Sequence, residues 1–117
     1  MKLKIKEQDI CAGISDYLAL KKIHFRRIHS IGLVTTKGVS DYWLVIDGMS
    51  IALEVKKPTS NLTKDQAEFL KSHWEASGCS WVIRDLDELI KCLDMIKDKI
   101  PFIYSSQREK DFGGLNV

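Results

Sequence analysis

The sequence predicts a single α/β domain in which a mixed sheet is flanked by helices. Segments with helical spacing of apolar residues alternate with four short apolar runs that have the length of strands. The dipeptide Asp47-Gly48, between the second and third runs, is typical of a tight hairpin turn. The predicted order is helix, strand, strand, strand, helix, strand, helix, which indicates a mixed sheet with helices packed on it.

The first part of the chain is predicted to contain a helix, a strand and a loop. Residues 6–20 carry apolar side chains at helical spacing and form an amphipathic helix. Residues 23–29 alternate apolar and polar side chains, which favours a strand with Arg26 and Arg27 at its exposed side or at a bulge. The glycines and threonines of residues 30–39 indicate a surface loop.

The hairpin comprises the apolar runs of residues 42–46 and 51–55, joined through Asp47-Gly48. Its second strand ends before Pro58, because proline has no amide hydrogen to donate to a neighbouring strand. A loop therefore follows the hairpin.

The next helix begins at a capping box and is followed by a strand and a further helix. Thr63 and Gln66 have the spacing of the capping box, and Gly78 ends the helix. Residues 79–84 are mostly apolar and predict a short strand, and residues 85–100 have the apolar spacing of a helix.

Length and composition fit one domain. The chain has 117 residues, of which 44% are hydrophobic and 29% are charged, which suffices for one core and not for two. Residues 1–100 are predicted to form this domain. Residues 101–117, which contain Gly113-Gly114, are predicted to be an extension that is flexible or lies at a dimer interface.

Two classes of protein are disfavoured by what the sequence lacks. No apolar run approaches the ~20 residues of a membrane span, and the first residues do not have the apolar segment of a signal peptide, so we expect a cytoplasmic protein without membrane contact. Cys11, Cys79 and Cys92 have neither paired nor metal-binding spacing, and we interpret them as reduced packing residues.

Charge is distributed unevenly along the chain. The formal net charge is +2, but residues 1–40 carry a net charge of +5 and the remaining residues a net charge of −3. A basic part thus adjoins an acidic part within one domain, which permits a phosphate-binding face without demonstrating one.

Asp41 and Glu54 are predicted to meet at the end of the hairpin. With Asp47-Gly48 as the turn, Asp41 lies opposite Glu54, and opposed side chains project from the same side with Cβ atoms ~4.5–5.5 Å apart. Lys56 lies two residues further and joins that face. The other face of the hairpin is apolar throughout, so burial fixes the register.

A carboxylate pair beside a lysine points to metal-dependent chemistry. Opposed carboxylates destabilise a sheet unless a cation or a shared proton relieves them, and oxygen ligands with water suit Mg²⁺ or Mn²⁺. Hydrolysis of a phosphodiester needs such a metal to polarise the phosphate and activate water, and a cation to offset developing charge. The alternative is structural: an aspartate at a strand start and a solvent face of alternating Glu and Lys.

These residues resemble the PD-(D/E)XK nuclease superfamily and, within it, the VRR-NUC domain family. The resemblance extends from about Glu7 to Leu93, and the Glu-x-Lys signature gains specificity from its combination with an upstream aspartate, a downstream glutamine helix and the order of elements. The matching residues are Gly38-Val39-Ser40-Asp41, Glu54-Val55-Lys56, Leu62-Thr63-Lys64-Asp65-Gln66, Gly78 and Val82-Ile83-Arg84. The departure is Ser40, where the name-giving motif has proline at a position that holds no ligand.

The resemblance implies a restriction-endonuclease-like αβββαβ core and a metal-dependent DNA endonuclease. Asp41 and Glu54 would ligate Mg²⁺ or Mn²⁺, with the backbone carbonyl of Val55 completing the set. Lys56 would activate or orient the attacking water.

Two further residues match polar positions near the active centre of the family. Glu7 matches an acidic residue on the first helix and lies on the predicted inward stripe, where a carboxylate is costly unless it is paired, although the first turn also suits the helix dipole. Gln66 matches a glutamine that follows the motif, but a capping residue is equally expected there. Trp43 shares the carboxylate face, where it would pack under the first helix or stack on a base.

The expected partner is DNA. The candidates for phosphate contacts are Lys57, Lys64, Arg26, Arg27 and Lys37, each of which also has the ordinary interpretation of a surface charge. Stand-alone domains of this family are typical of phages and bacteria, so the cytoplasm would be that of the host for a phage protein. By likeness to Holliday-junction resolvases we expect structure-selective cleavage of branched DNA by a homodimer. The alternatives are a flap, single-strand or end-processing nuclease and a catalytically inactive DNA-binding module.

Overall fold

The computed structural model describes residues 6–28 and 38–117, in which a five-stranded mixed sheet lies between helices. The helices are α1 (Glu7–Leu20), α2 (Lys64–Glu75), α3 (Leu86–Met95), which a 3₁₀ turn (Ile96–Asp98) follows, and α4 (Arg108–Phe112). The strands are β1 (His24–Arg27), β2 (Tyr42–Ile46), β3 (Met49–Val55), β4 (Cys79–Ile83) and β5 (Ile103–Tyr104). The predicted α/β class and element order are confirmed. The loop predicted for residues 30–39 lies outside the described residues up to position 37.

The sheet changes from antiparallel to parallel pairing at β3. Strands β1, β2 and β3 are antiparallel neighbours, whereas β4 pairs with β3, and β5 with β4, in parallel. The hairpin has the predicted register, with Tyr42 opposite Leu53 and Ile46 opposite Met49. Asp47 and Gly48 both have positive φ, which is the geometry that makes this dipeptide favourable in a two-residue turn.

The two faces of the sheet are covered by different helices. On the first face, α1 and α3 pack on a large apolar cluster, and the Tyr42 hydroxyl donates a hydrogen bond to the Cys11 carbonyl oxygen at 3.0 Å. On the second face, Ala67 and Leu70 of α2 pack in a smaller cluster with Ala52 and Val82. Because facing residues of neighbouring strands share a face, Trp43 and Glu54 belong to the second face together with Ala52.

The residues after Pro101 are packed into the domain. Ile103 lies opposite Ser80 in the parallel pair of β4 and β5, and Phe112 is buried in the second-face cluster. The predicted flexible extension is therefore wrong for this segment, because a buried strand and a buried aromatic side chain anchor it. A role at a dimer interface stays a prediction.

Two further predictions from the sequence concern the cysteines and contact with a membrane. Cys11, Cys79 and Cys92 are free and buried, and burial raises the pKa of all three thiols, as expected for packing residues. In the part of the chain that the structure describes, no helix has the length and apolar character needed to cross a membrane.

Candidate metal centre

Asp41 and Glu54 meet where β2 begins and β3 ends. The Asp41 amide nitrogen donates to Glu54 Oε2 at 3.2 Å, and the Val55 amide nitrogen donates to Asp41 Oδ2 at 2.7 Å. Each carboxylate therefore accepts a backbone hydrogen bond from the other strand. The register imposed by the buried face thus brings together the two acids that the sequence pairs.

Gln66 joins this pair from the start of α2. Its side-chain amide nitrogen donates to Glu54 Oε1 at 2.8 Å, while its Oε1 accepts a hydrogen bond from the Thr63 amide at 3.0 Å. The Gln66 amide donates in turn to Thr63 Oγ1 at 3.2 Å, which completes the capping box. The two roles considered for Gln66 therefore coexist: one end of the amide caps the helix and the other holds Glu54.

Gly38 allows the segment before Asp41 to approach the start of α2. Its φ of +81° lies in the region that favours glycine, and a Cβ atom there would lie 2.2 Å from the Asp65 carbonyl oxygen. Two residues later, Ser40 is buried and its Oγ donates to the Tyr42 carbonyl oxygen at 3.0 Å. A serine thus fixes the turn into β2 where the family motif has proline.

Glu54 is buried without a cationic partner. Its side chain is 2% exposed, and none of the ion pairs formed within residues 6–28 and 38–117 involves Glu54 or Asp41. Burial and the neighbouring Asp41 charge raise the pKa of Glu54 to about 9, although the Lys56 charge acts in the opposite direction. At neutral pH this carboxyl group retains a proton unless a cation is supplied.

The donor set fits a hard divalent cation that keeps part of its water. Two carboxylates are available, and within the described ranges no third acidic residue, histidine or cysteine completes a cluster with them. Mg²⁺ is commonly bound through one or two carboxylates with several waters retained, so a third protein side chain is not required. The Val55 carbonyl remains the predicted additional ligand, and the half-buried Lys56 supplies the neighbouring positive charge.

Glu7 is exposed, although the sequence predicted that its side chain points inward. It lies in the first turn of α1 and is exposed, whereas the inward stripe is buried only from Cys11 onward, at Ile14 and Leu18. Burial, and to a smaller extent the charges of Asp41 and Glu7, raise the pKa of the Cys11 thiol. The role of Glu7 at the metal site stays a prediction. The prediction of a buried carboxylate is wrong because the core does not extend to the first turn.

The predicted phosphate-binding residues lie on different elements of the domain. Arg26, Arg27, Lys57 and Lys64 are all exposed, and Lys37 lies outside the described residues. Arg26 and Arg27 occupy regular ladder positions opposite Trp43 and Tyr42, so they project from opposite faces and not from a bulge. The Arg27 guanidinium lies 5.8 Å from the centre of the Tyr42 ring, on the α1 side.

Trp43 does not pack under the first helix. It belongs to the second face, whereas α1 covers the first, and its side chain is 40% exposed. Its indole nitrogen donates to Ser50 Oγ at 2.9 Å.

Sequence reasoning missed a buried ion pair behind the site. Arg84, which follows β4 and is 4% exposed, donates from both terminal nitrogens to Asp111, at 2.7 and 2.8 Å. Arg84 also donates to the Ser60 carbonyl oxygen at 2.9 Å, and the Leu62 amide donates to Asp111 at 3.4 Å. The pair therefore anchors the segment between Lys56 and α2. The available signal was an arginine that closes an apolar strand and so requires a partner.

Comparisons with protein-family models, with curated proteins and with solved structures give no match for this chain. The interpretation of the site consequently depends on its own geometry and on the motif residues.

Proposed function

We propose that this chain is a Mg²⁺- or Mn²⁺-dependent nuclease of the PD-(D/E)XK type that hydrolyses phosphodiester bonds in DNA. The observation that carries the proposal is the buried Glu54 held against Asp41, with neither acid in an ion pair within residues 6–28 and 38–117. Burying an ionised carboxylate in this state opposes folding, and a retained proton or a bound cation relieves that cost. A bound divalent ion would account for it.

Each residue of the site has a role in this proposal. Asp41 and Glu54 hold the metal, which when bound polarises the phosphate and lowers the pKa of its water. Lys56 orients the attacking water or offsets charge that develops on the phosphate. Gln66 fixes the rotamer of Glu54 through its amide, because its own position is fixed by the cap at Thr63.

DNA is the proposed substrate because exposed basic side chains lie on β1, directly after β3 and at the start of α2, with Arg26 on the face of the sheet that carries Glu54 and Arg27 on the opposite face. Arg26, Arg27, Lys57 and Lys64 are exposed around the second half of the hairpin, β1 and the start of α2, and phosphate contacts of this kind supply sequence-independent affinity. Structure-selective cleavage by a homodimer belongs to the same proposal, since one small domain offers little surface to a branched duplex. A catalytically inactive binding module is disfavoured, because it gives no role to the Asp41–Glu54 pair with its neighbour Lys56.

The test compares wild-type protein with Glu54→Gln and Lys56→Met on end-labelled DNA. The substrates are single strands, duplexes, flaps and four-way junctions, each with Mg²⁺, Mn²⁺ or EDTA. Lys97→Gln is the matched control, since Lys97 is an exposed lysine paired with Asp94 beside the hairpin turn, away from Asp41. We expect wild type and the control to cleave with metal alone, and each site variant to lose roughly 100-fold or more of the rate.

The opposite result would overturn the nuclease. If wild type cuts no substrate with either metal while DNA binding in EDTA is equal or tighter in Glu54→Gln, the chain is a binding module. Cleavage that persists in Glu54→Gln at the wild-type rate would instead show that the acid pair is not the catalytic centre.

A further inference from the structure

Trp43 is a large aromatic residue that the fold leaves open beside the candidate metal centre. It lies two residues after Asp41 along β2, which corresponds to about 7 Å of strand. The ring shares the second face of the sheet with Glu54. Helix α2 covers this face at Ala52 and Val82, and Trp43 remains 40% exposed.

The indole ring is held in one orientation although it is exposed. Its nitrogen donates to Ser50 Oγ, which in turn lies 3.3 Å from His73 Nε2. From the other side, the His24 ring meets it edge-on, with centroids 6.2 Å apart and an interplanar angle of 84°. A ring held in this way loses little conformational entropy when a flat partner binds to its exposed part.

A cation accompanies the ring. Arg26 lies directly opposite Trp43 across β1 and β2, and both side chains therefore project from the second face. Arg26 is exposed, and within the described residues it takes part in no ion pair. Its Nη1 donates a hydrogen bond to the Phe25 carbonyl oxygen at 3.1 Å, and the guanidinium has further donors for a phosphate. An aromatic surface with an exposed guanidinium on the same face is complementary to a base and the phosphate attached to it.

We propose that Trp43 and Arg26 form a platform that holds an unpaired base of the DNA strand next to the cleavage site. The base stacks on Trp43, and Arg26 contacts the adjoining phosphate. A base within a continuous duplex has no free face to offer, so the platform favours flaps, branches and single strands over uninterrupted duplex. This inference rests on the proposed function and chooses among its substrates.

The test measures binding in EDTA, where cleavage does not interfere. Fluorescence anisotropy of a labelled oligothymidine and of a labelled blunt duplex is recorded for wild type, Trp43→Leu, Trp43→Phe, Arg26→Gln and the control Lys97→Gln. We expect Trp43→Leu to bind the single strand roughly 5- to 100-fold more weakly, with Trp43→Phe close to wild type and the duplex little affected. Arg26→Gln should lower the slope of log K against log salt by about 1. Thermal unfolding of each variant verifies that it folds.

Equal single-strand affinity of folded Trp43→Leu and wild type would overturn the platform, and so would an equal loss for single strand and duplex. The two proposals fail separately. If Trp43→Leu binds DNA normally and wild type cleaves DNA with metal, only the platform proposal is overturned. If single-strand binding depends on Trp43 but wild type cleaves no DNA, only the nuclease proposal is overturned.

Discussion

Glu54 and Asp111 are two buried carboxylates of one small domain, and their surroundings differ in one respect. Burial opposes ionisation of both, but at Asp111 the hydrogen bonds of Arg84 and Ser105 outweigh it and lower the pKa. At Glu54 the nearest charge is another acid, Asp41, and the pKa rises to about 9. Asp111 has its cation within the protein, whereas Glu54 forms no ion pair within the described residues. Arg84 and Asp111 thus form a structural ion pair, whereas at Glu54 the proposed metal would supply the missing positive charge.

The largest change in stability is expected when the ion pair between Arg84 and Asp111 is broken. Arg84→Met leaves Asp111 buried without its cation and removes the bond to the Ser60 carbonyl, so we expect a loss of about 3–5 kcal/mol in the free energy of unfolding. Urea denaturation followed by circular dichroism measures it. Lys97→Met, at an exposed pair, should cost less than about 1 kcal/mol. A loss as small as this in Arg84→Met would contradict the anchoring role.

Substitution of Glu54 should increase the stability of the folded protein, in contrast to substitution of Arg84. In the unfolded chain Glu54 ionises near its ordinary pKa of 4.5, but in the folded chain it keeps its proton up to a pKa of about 9. Stability therefore falls as the pH rises between these values, and Glu54→Gln removes the penalty. We expect this variant in EDTA to gain up to about 3 kcal/mol at pH 7 and nothing at pH 4.

Thermal unfolding across this pH range, with and without Mg²⁺, measures that response. Mg²⁺ should raise the midpoint of wild type and leave Glu54→Gln unchanged, because the ion takes the place of the proton. A Glu54→Gln variant that is less stable than wild type at pH 7 in EDTA would show that Glu54 is a satisfied structural residue.

The hairpin and its acid pair were predictable because two independent signals agree. Asp47-Gly48 fixes the turn, and the apolar residues of one face fix which side is buried, so only one register places Asp41 near Glu54. Local spacing also predicted the Thr63 cap. It did not show that the far end of Gln66 reaches Glu54, because this contact depends on how α2 packs against the sheet.

The errors have a common physical origin in long-range packing. Periodicity placed Glu7 on the inward side of α1 and Trp43 on the carboxylate face, but it does not show how far the core extends or which helix covers a face. Strand β5 has two residues and α4 has five, too few for a periodic signal. Asp111 in α4 pairs with Arg84, 27 residues earlier, and accepts a hydrogen bond from Ser105, the residue that follows β5.

Substitutions at Thr63 and Gln66 distinguish the contribution of the helix cap from that of the contact between Gln66 and Glu54. Thr63→Ala removes the bond from the Gln66 amide to Thr63 Oγ1 but leaves the Gln66 side chain. Gln66→Ala removes the other half of the capping box, the bond from the Thr63 amide, together with the bond to Glu54. We expect each to cost about 1 kcal/mol of stability, as for other caps. Only Gln66→Ala should weaken Mg²⁺ binding, by roughly 10-fold or more, in calorimetric titration. Equal Mg²⁺ affinities in the two variants would show that Gln66 serves the helix alone.

The smallest effect is expected at Glu7, the acid that the sequence placed in the site and the structure places at the surface. Glu7 and Asp9 both lie exposed in the first turn of α1, where a carboxylate gains from the helix dipole. Glu7→Gln and the matched Asp9→Asn should therefore each cost about 0.3–1 kcal/mol in urea denaturation. Because Glu7 contacts neither Asp41 nor Glu54, calorimetry should give both variants the wild-type Mg²⁺ affinity. A clear loss of affinity in Glu7→Gln alone would instead extend the acid pair to the first helix, through a water between them.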